Sequence, residues 1–243
     1  MRTNPKLTWT LTAIAFVGLC SSASGEVITN GGFEAGLAGW TRADQLGSEG
    51  TFFLQSGTTS PVNGFTVPAP PGGTFAAMTD GAGPGSHVLY QDFVVPALGS
   101  GPGLGLSFSI FLNNSNGAGR YFTPNSLDFS TPTLNQQARV DLMLASADPF
   151  SLAAADILRT IYQTSANDPL MAGYNNFAFN LTSALQGREG QTLRLRFAEV
   201  DNVAPFNLGI DNVSIGTIPE PGTWGMLITA IGGLALLRRK IAR

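Results

Sequence analysis

The sequence predicts an all-β, two-sheet sandwich with one short helix, set between an N-terminal secretory segment and an apolar C-terminal tail. Three observations carry this. Apolar and polar residues alternate over several short stretches, Gly/Pro/Asn turns separate those stretches, and no regular succession of strand and amphipathic helix appears. Gly (30) and Pro (15) are frequent among the 243 residues and only 12% are charged, which fits a loop-rich globular chain rather than a disordered one.

In chain order, residues 1–25 read as a signal peptide. Arg2 and Lys6 precede an apolar stretch from Leu7 to Cys20, and small residues follow. Cleavage after Gly25 (Ala23 at the third position before the cut) or after Ala23 (Ser21 there) satisfies the small-residue requirement. Leu19 stands where lipid attachment to Cys20 needs a small residue. Either cut removes the single cysteine, so the remainder has no thiol for a disulfide, a zinc ion or a nucleophile.

Residues 26–217 form the predicted sandwich. They hold seven arginines, no lysine and fifteen carboxylates, a formal charge of −8 that excludes nucleic acid as a natural partner. The clearest strand is "LGLSFSIFL", with Leu104, Leu106, Phe108, Ile110 and Leu112 on one face. The pattern recurs at Ala138, Val140, Leu142 and Leu144, at Phe177, Phe179 and Leu181, and at Leu193, Leu195 and Phe197, with Arg139, Asp141, Arg194 and Arg196 among the outward partners. "TFAAMT", "HVLYQDFVV" and "NLGIDNVSI" supply further strands. In the last, Leu208 and Ile210 fall on the opposite parity to Val213 and Ile215, so a bulge near Asp211 and Asn212 is required if all four point inward. One helix is predicted from Asp148 as N-cap to about Thr164, with Leu152, Ala155, Leu158, Ile161 and Tyr162 on one side.

Residues 218–243 differ in kind. Pro219, Glu220 and Pro221 predict an extended, accessible peptide. The uncharged run from Trp224 to Leu237 would span roughly 21 Å as a helix, against about 30 Å of hydrocarbon, and Arg238, Arg239 and Lys240 form a basic stop that stays cytoplasmic. This order of triplet, apolar helix and basic end resembles the PEP-CTERM sorting signal of Gram-negative bacteria. The resemblance implies recognition by a membrane-embedded exosortase, transient anchoring in the inner membrane, loss of the tail, and arrival at the cell surface or extracellular matrix of an exopolysaccharide-producing cell.

Two segments of the sandwich carry a second resemblance. "TNGGFEAGLAGWT" (Thr29–Thr41) and "FNLGIDNVSI" (Phe206–Ile215) resemble the opening and closing strands of galactose-binding-like jelly rolls, the fold of many carbohydrate-binding modules; "GTFAAMT" and "VLYQDFVVPA" resemble its next two strands. This implies a structural or adhesive component of the exopolysaccharide layer, or alternatively a carbohydrate-binding module. A glycan-active enzyme is the lesser alternative.

Catalytic signals are weak. No G-x-S-x-G, H-E-x-x-H or phosphate-binding glycine loop occurs, and the lone His87 reads as a hydrogen-bonded imidazole, so the chain reads as a non-enzyme. Side-by-side opening and closing strands, as the resemblance implies, would bring Glu34 to Asp211, and hard carboxylate and carbonyl oxygens suit a structural Ca²⁺. The resemblance adds the Gly73 carbonyl from a neighbouring turn. For a sugar, Tyr121 in the polar loop "NNSNGAGRYFTPNS" is the expected exposed platform, whereas Trp40 is expected to be buried.

Overall fold

A computed structural model describes residues 26–218, apart from 62, 81–82, 99–102, 115–120, 167 and 170. The signal peptide 1–25, the Pro219-Glu220-Pro221 motif, the apolar run and Arg238, Arg239 and Lys240 lie outside the described residues. Among the described residues, no helix is long and apolar enough to cross a membrane.

Ten strands follow one another: β1 (Thr41–Asp44), β2 (Thr51–Ser56), β3 (Phe75–Asp80), β4 (Gly85–Val94), β5 (Leu104–Asn114), β6 (Gln136–Leu144), β7 (Ile157–Gln163), β8 (Asn175–Asn180), β9 (Thr192–Asp201) and β10 (Phe206–Thr217). The one helix among the described residues, α1 (Thr182–Leu185), is a single turn. The strands make two five-stranded sheets of order β1-β4-β9-β6-β7 and β2-β3-β10-β5-β8. All their pairings are antiparallel, and most connections cross from one sheet to the other.

The predicted alternation sets the layers. Leu106, Phe108, Ile110 and Leu112 of β5 meet Leu193, Leu195 and Phe197 of β9 and Ala138, Val140 and Leu142 of β6 across the interior. Phe108 lies at the centre, edge-on to Phe197 and stacked against Phe177 and Phe179. Burying one such aromatic or branched side chain contributes about 1.5–3 kcal/mol, so a core of this size needs no disulfide.

Two elements differ from expectation. The helix predicted from Asp148 to Thr164 is absent: Asp148 instead closes a turn by accepting from the Phe150 N–H at 2.7 Å, and residues 157–163 are β7. The register explains the false period. Tyr162 pairs with Val140 and Thr160 with Asp141, skipping Ile161; Arg159 pairs with Leu142 and Ile157 with Met143, skipping Leu158. Two bulges three residues apart thus mimic the i, i+3 spacing of a helix.

The second difference is that most of Thr29–Thr41 is not a strand. Asn30 (φ 53°) and Phe33 (φ 57°) adopt left-handed backbone, which strand pairing does not tolerate. The Asn30 side chain pins the resulting loop, donating to Gly36 and Ala38 carbonyls and accepting from the Ala35 N–H. Where a neighbouring strand would pair with Thr29, the Gln91 amide does so, accepting from its N–H at 2.7 Å and donating to its carbonyl at 2.9 Å. Trp40 is buried as expected, against Phe33 and Phe197.

Candidate functional site

β10 bends where its hydrophobic parity required. The register with β5 shifts between Asp211 and Ser214, Asn212 takes φ 53°, and Leu208, Ile210, Val213 and Ile215 are all buried. The bulge is held on its open side by the N-terminal loop, with the Val213 N–H donating to the Gly31 carbonyl at 2.9 Å. A Cβ on Gly31 would collide with the Val213 carbonyl, so only glycine allows this approach.

The same bulge aims Asp211 at the turn before β3. Its Oδ2 accepts from the Gly72 N–H at 3.0 Å and its Oδ1 from the Asn212 N–H at 2.6 Å. Glu34 reaches that turn from the N-terminal loop, and its Oε1 accepts from Thr74 N–H (2.8 Å) and Phe75 N–H (2.9 Å). Gly73, at φ +58°, lies directly under the Glu34 carboxylate, where a Cβ would clash with it. Glu34, Gly73 and Asp211 therefore converge, although Glu34 arrives on a loop rather than on a strand beside β10.

The electrostatics of this convergence are unbalanced. Asp211 is fully buried and makes no ion pair among the described residues, and its carboxyl is pushed up to about 6, by burial first and by the Glu34 charge in addition, against the two backbone donors. Backbone N–H groups occupy only part of the acceptor capacity of the two carboxylates, since each oxygen carries two lone pairs. Among the described residues no group of three or more His, Cys, Asp or Glu converges in a metal-binding arrangement. A cation here would have the two carboxylates and would draw its other ligands from backbone carbonyls or water, a donor set that suits Ca²⁺ and not zinc.

Tyr121 is corrected. It is 2% exposed, packs edge-on against Phe206 at 5.8 Å, and has no hydrogen-bond partner for its hydroxyl among the described residues. A polar neighbouring sequence does not reveal a contact made with a strand some eighty residues away. His87 is a buried, hydrogen-bonded imidazole, its Nδ1 2.8 Å from Asp44 Oδ1 and its Nε2 3.0 Å from the Glu49 carbonyl.

The outer face of the β1-β4-β9-β6-β7 sheet holds charges the alternation had placed outward. Asp141 is buried between Arg139, bound through Nε (2.7 Å) and Nη2 (2.7 Å), and Arg196, bound through Nε (3.2 Å) and Nη2 (2.5 Å). Arg194 grips Asp92 with two donors and lies 3.9 Å over the Tyr90 ring. The segment 145–151 is strapped over this network, with Arg194 donating to the Ala145 and Ala147 carbonyls and Arg196 to those of Pro149 and Ser151.

A second loop, 122–135, lies beside that strap. Between the two opens a pocket of about 380 Å³ lined by Gln45, Asn125, Ser126, Leu127, Asp128, Asp148, Phe150 and Leu152. Asp128 Oδ1 accepts from Gln45 Nε2 (2.5 Å), Ser130 N–H (2.8 Å) and Ser130 Oγ (2.7 Å), and these bonds, the Gln45 one foremost, hold the carboxyl below its usual range. Sequence reading missed this pocket, whose lining comes from three distant segments. The local signal was the pair of Asx turns, "DFS" at Asp128 and "DPF" at Asp148.

No protein family profile and no curated protein matches the sequence. Solved structures of similar shape are found. The carbohydrate-binding module TmCBM61 in complex with β-1,4-galactotriose is 10% identical with TM-score 0.47, covering 80% of this chain and 100% of its own. The K3 cleaved adhesin domain of Lys-gingipain from Porphyromonas gingivalis w83 is 14% identical with TM-score 0.45, covering 79% and 98%. A Stig cyclase, Fisc, from Fischerella sp. TAU is 16% identical with TM-score 0.45, covering 80% and 98%. A binding module, an adhesin and a cyclase share the likeness, and none assigns this chain a ligand or a reaction.

Proposed function

We propose that this chain is an exported surface protein, sorted through its Pro219-Glu220-Pro221 signal by an exosortase and released as a calcium-held β-sandwich into the exopolysaccharide layer. There it serves as a structural or adhesive component without catalysis. The convergence of Glu34 and Asp211 around the Gly72–Gly73 turn, with no ion pair to either carboxylate among the described residues, carries the calcium part of this reading. Calcium is plentiful outside cells, and the ion would tie together the N-terminal loop, the turn before β3 and the bulge of β10. The sorting part is supported by the order of motif, apolar run and basic stop in the sequence. Carbohydrate binding is the second reading, favoured by the half-apolar, half-polar pocket beside the strap.

Calcium linkage tests the first part. A ligand bound only by the folded state stabilises it by about 2.7 kcal/mol at a hundredfold excess over Kd, which at about 2–4 °C per kcal/mol gives a melting rise of roughly 5–11 °C. Chelation should reverse it, and metal-stripped protein indifferent to calcium would end the calcium reading. For sorting, mass spectrometry of surface material should find neither residues 1–25 nor the Trp224–Leu237 run; surface peptides reaching Leu237 would contradict it. Replacing Glu220 with Ala should leave the chain in the inner membrane.

A further inference from the structure

We infer that the pocket between the 122–135 and 145–156 loops is a saccharide site for a neutral or amine-bearing glycan, and that it rejects uronates. The inference rests on the carbohydrate-binding reading above and gives it a location and a ligand class. The lining divides by chemistry. Leu127, Phe150 and Leu152 supply an apolar wall, and the half-buried Phe150 ring offers a face to the C–H side of a pyranose. Gln45, Asn125, Ser126, Asp128 and Asp148 supply hydrogen-bonding groups. A volume of about 380 Å³ lies at the small end of ligand pockets, enough for roughly one or two sugar rings.

The carboxylates are already oriented. Asp128 Oδ1 is taken by Gln45 and Ser130, and Asp148 Oδ1 by the Phe150 N–H. Each keeps a second oxygen with no donor among the described residues, an acceptor for a sugar hydroxyl or ammonium. Because the turns fix both side chains, little rotamer freedom is lost on binding. The Asp148 turn also sets the position of Phe150, so the stacking face and one acceptor are placed by a single local device.

Charge decides the class. Among the described residues no arginine or lysine lines the pocket, and the arginines beneath the strap are committed: Arg196 to Asp141 and two carbonyls, Arg194 to Asp92 and two carbonyls. A uronate would thus bring a third negative charge to a place with no spare cation.

The larger groove, about 470 Å³ over β5, β8 and β10, is a poorer saccharide site. Beside Leu106, Phe179 and Ile218 its lining is small or uncharged (glycine, alanine, serine, threonine and asparagine), with no carboxylate among the described residues to orient a sugar.

The test uses the full chain in detergent with calcium present, and a panel of neutral, glucosamine-containing and galacturonate oligosaccharides that includes cellotriose, the glucosamine trisaccharide and trigalacturonate. Binding is read by saturation-transfer NMR and calorimetry. Neutral or glucosamine members should bind and trigalacturonate should not. Phe150→Ala and Asp148→Asn should each weaken binding about tenfold, the latter keeping the Asx turn. Because Phe150 also packs beneath the loops, Asn125→Trp, at an exposed lining position, provides a second variant: it should block binding at an unchanged melting point. Binding undiminished in all three variants would place the saccharide elsewhere, sinking the pocket and sparing the carbohydrate-binding reading. Preference for the uronate would overturn the ligand class. A wild-type chain that responds to calcium but binds no panel member would sink the pocket and the carbohydrate-binding reading together, leaving the calcium-held structural protein.

Discussion

Asp141 and Asp211 are both fully buried, one on each sheet of the sandwich, and the chain treats them oppositely. Asp141 takes four hydrogen bonds from two arginines. Asp211 takes two from backbone N–H groups and faces Glu34, a second negative charge. In the first case the fold itself neutralises the buried charge; burial pulls Arg196 below its ordinary value, but Asp141 pulls it back up. In the second no ion pair answers the charge among the described residues, and the proposed calcium ion would supply the balance. On that proposal the two places differ in whether the compensating charge is covalently part of the protein.

The largest expected effect comes from breaking the closed case. Asp141→Asn leaves Arg139 and Arg196 buried without their anion, and removal of one partner of such a pair costs about 3–5 kcal/mol. At about 2–4 °C per kcal/mol the melting point should fall by roughly 6–20 °C, and calcium should not restore the lost part. Arg196→Met tests the same pair from the other side, and also frees the Pro149 and Ser151 carbonyls that fasten the strap. If both variants melt with wild type, the network is ornament to the core and the contrast with Asp211 collapses.

A smaller and differently signed effect is expected at the open case. Asp211→Asn removes an uncompensated charge but also one of two backbone acceptors, so the calcium-free variant should stay within about 1 kcal/mol of wild type at neutral pH. Its response to calcium should be lost. The pH dependence sharpens this. An unfolded Asp titrates near 3.9 and Asp211 near about 6, so its protonation favours the folded state. That stabilisation is full below about pH 4 and is lost as pH rises through about 6. Asp201, pushed up to about 7 by burial, acts in the same sense. Metal-free wild type should therefore melt lower at pH 7.5 than at pH 5, Asp211→Asn should remove part of that slope, and the calcium shift should grow over the same interval. A calcium shift independent of pH would mean that the ion does not bind the ionised Asp211.

Much of this contrast was legible before any coordinates. Asp211 could be flagged because Leu208/Ile210 and Val213/Ile215 have opposite parity, a purely local conflict that only a bulge resolves. The strands at 104–112, 138–144 and 193–197 were readable for the same local reason. β7 was not, because its two bulges replace a period of two with a spacing of three. Thr29–Thr41 misled because the resemblance to an opening strand overrode the turn signal Asn30-Gly31-Gly32, and left-handed Phe33 gives no warning in the sequence. Arg139, Asp141, Arg194 and Arg196 were correctly placed on the outer face, yet their burial depends on a strap from residues 145–151, which no strand pattern announces. The pocket was invisible for the same reason, since Gln45, Asp128 and Asp148 meet only through tertiary packing.

The smallest effect concerns a third kind of buried polar group, one that is neutral and unpartnered. The Tyr121 hydroxyl lies in the interior against Phe206 with no hydrogen bond among the described residues, and burial pushes it up to about 12. An uncharged hydroxyl left without a partner carries a desolvation penalty of about 1–3 kcal/mol, smaller than that of breaking the buried Asp141 pair and not removable by a metal. Tyr121→Phe keeps the ring and its contact while deleting the penalty. The melting point should therefore hold or rise by a few degrees, with calcium response and saccharide binding unchanged. A fall would show that the hydroxyl has a partner it needs, and a loss of saccharide binding would return Tyr121 to the ligand surface that its polar loop first suggested.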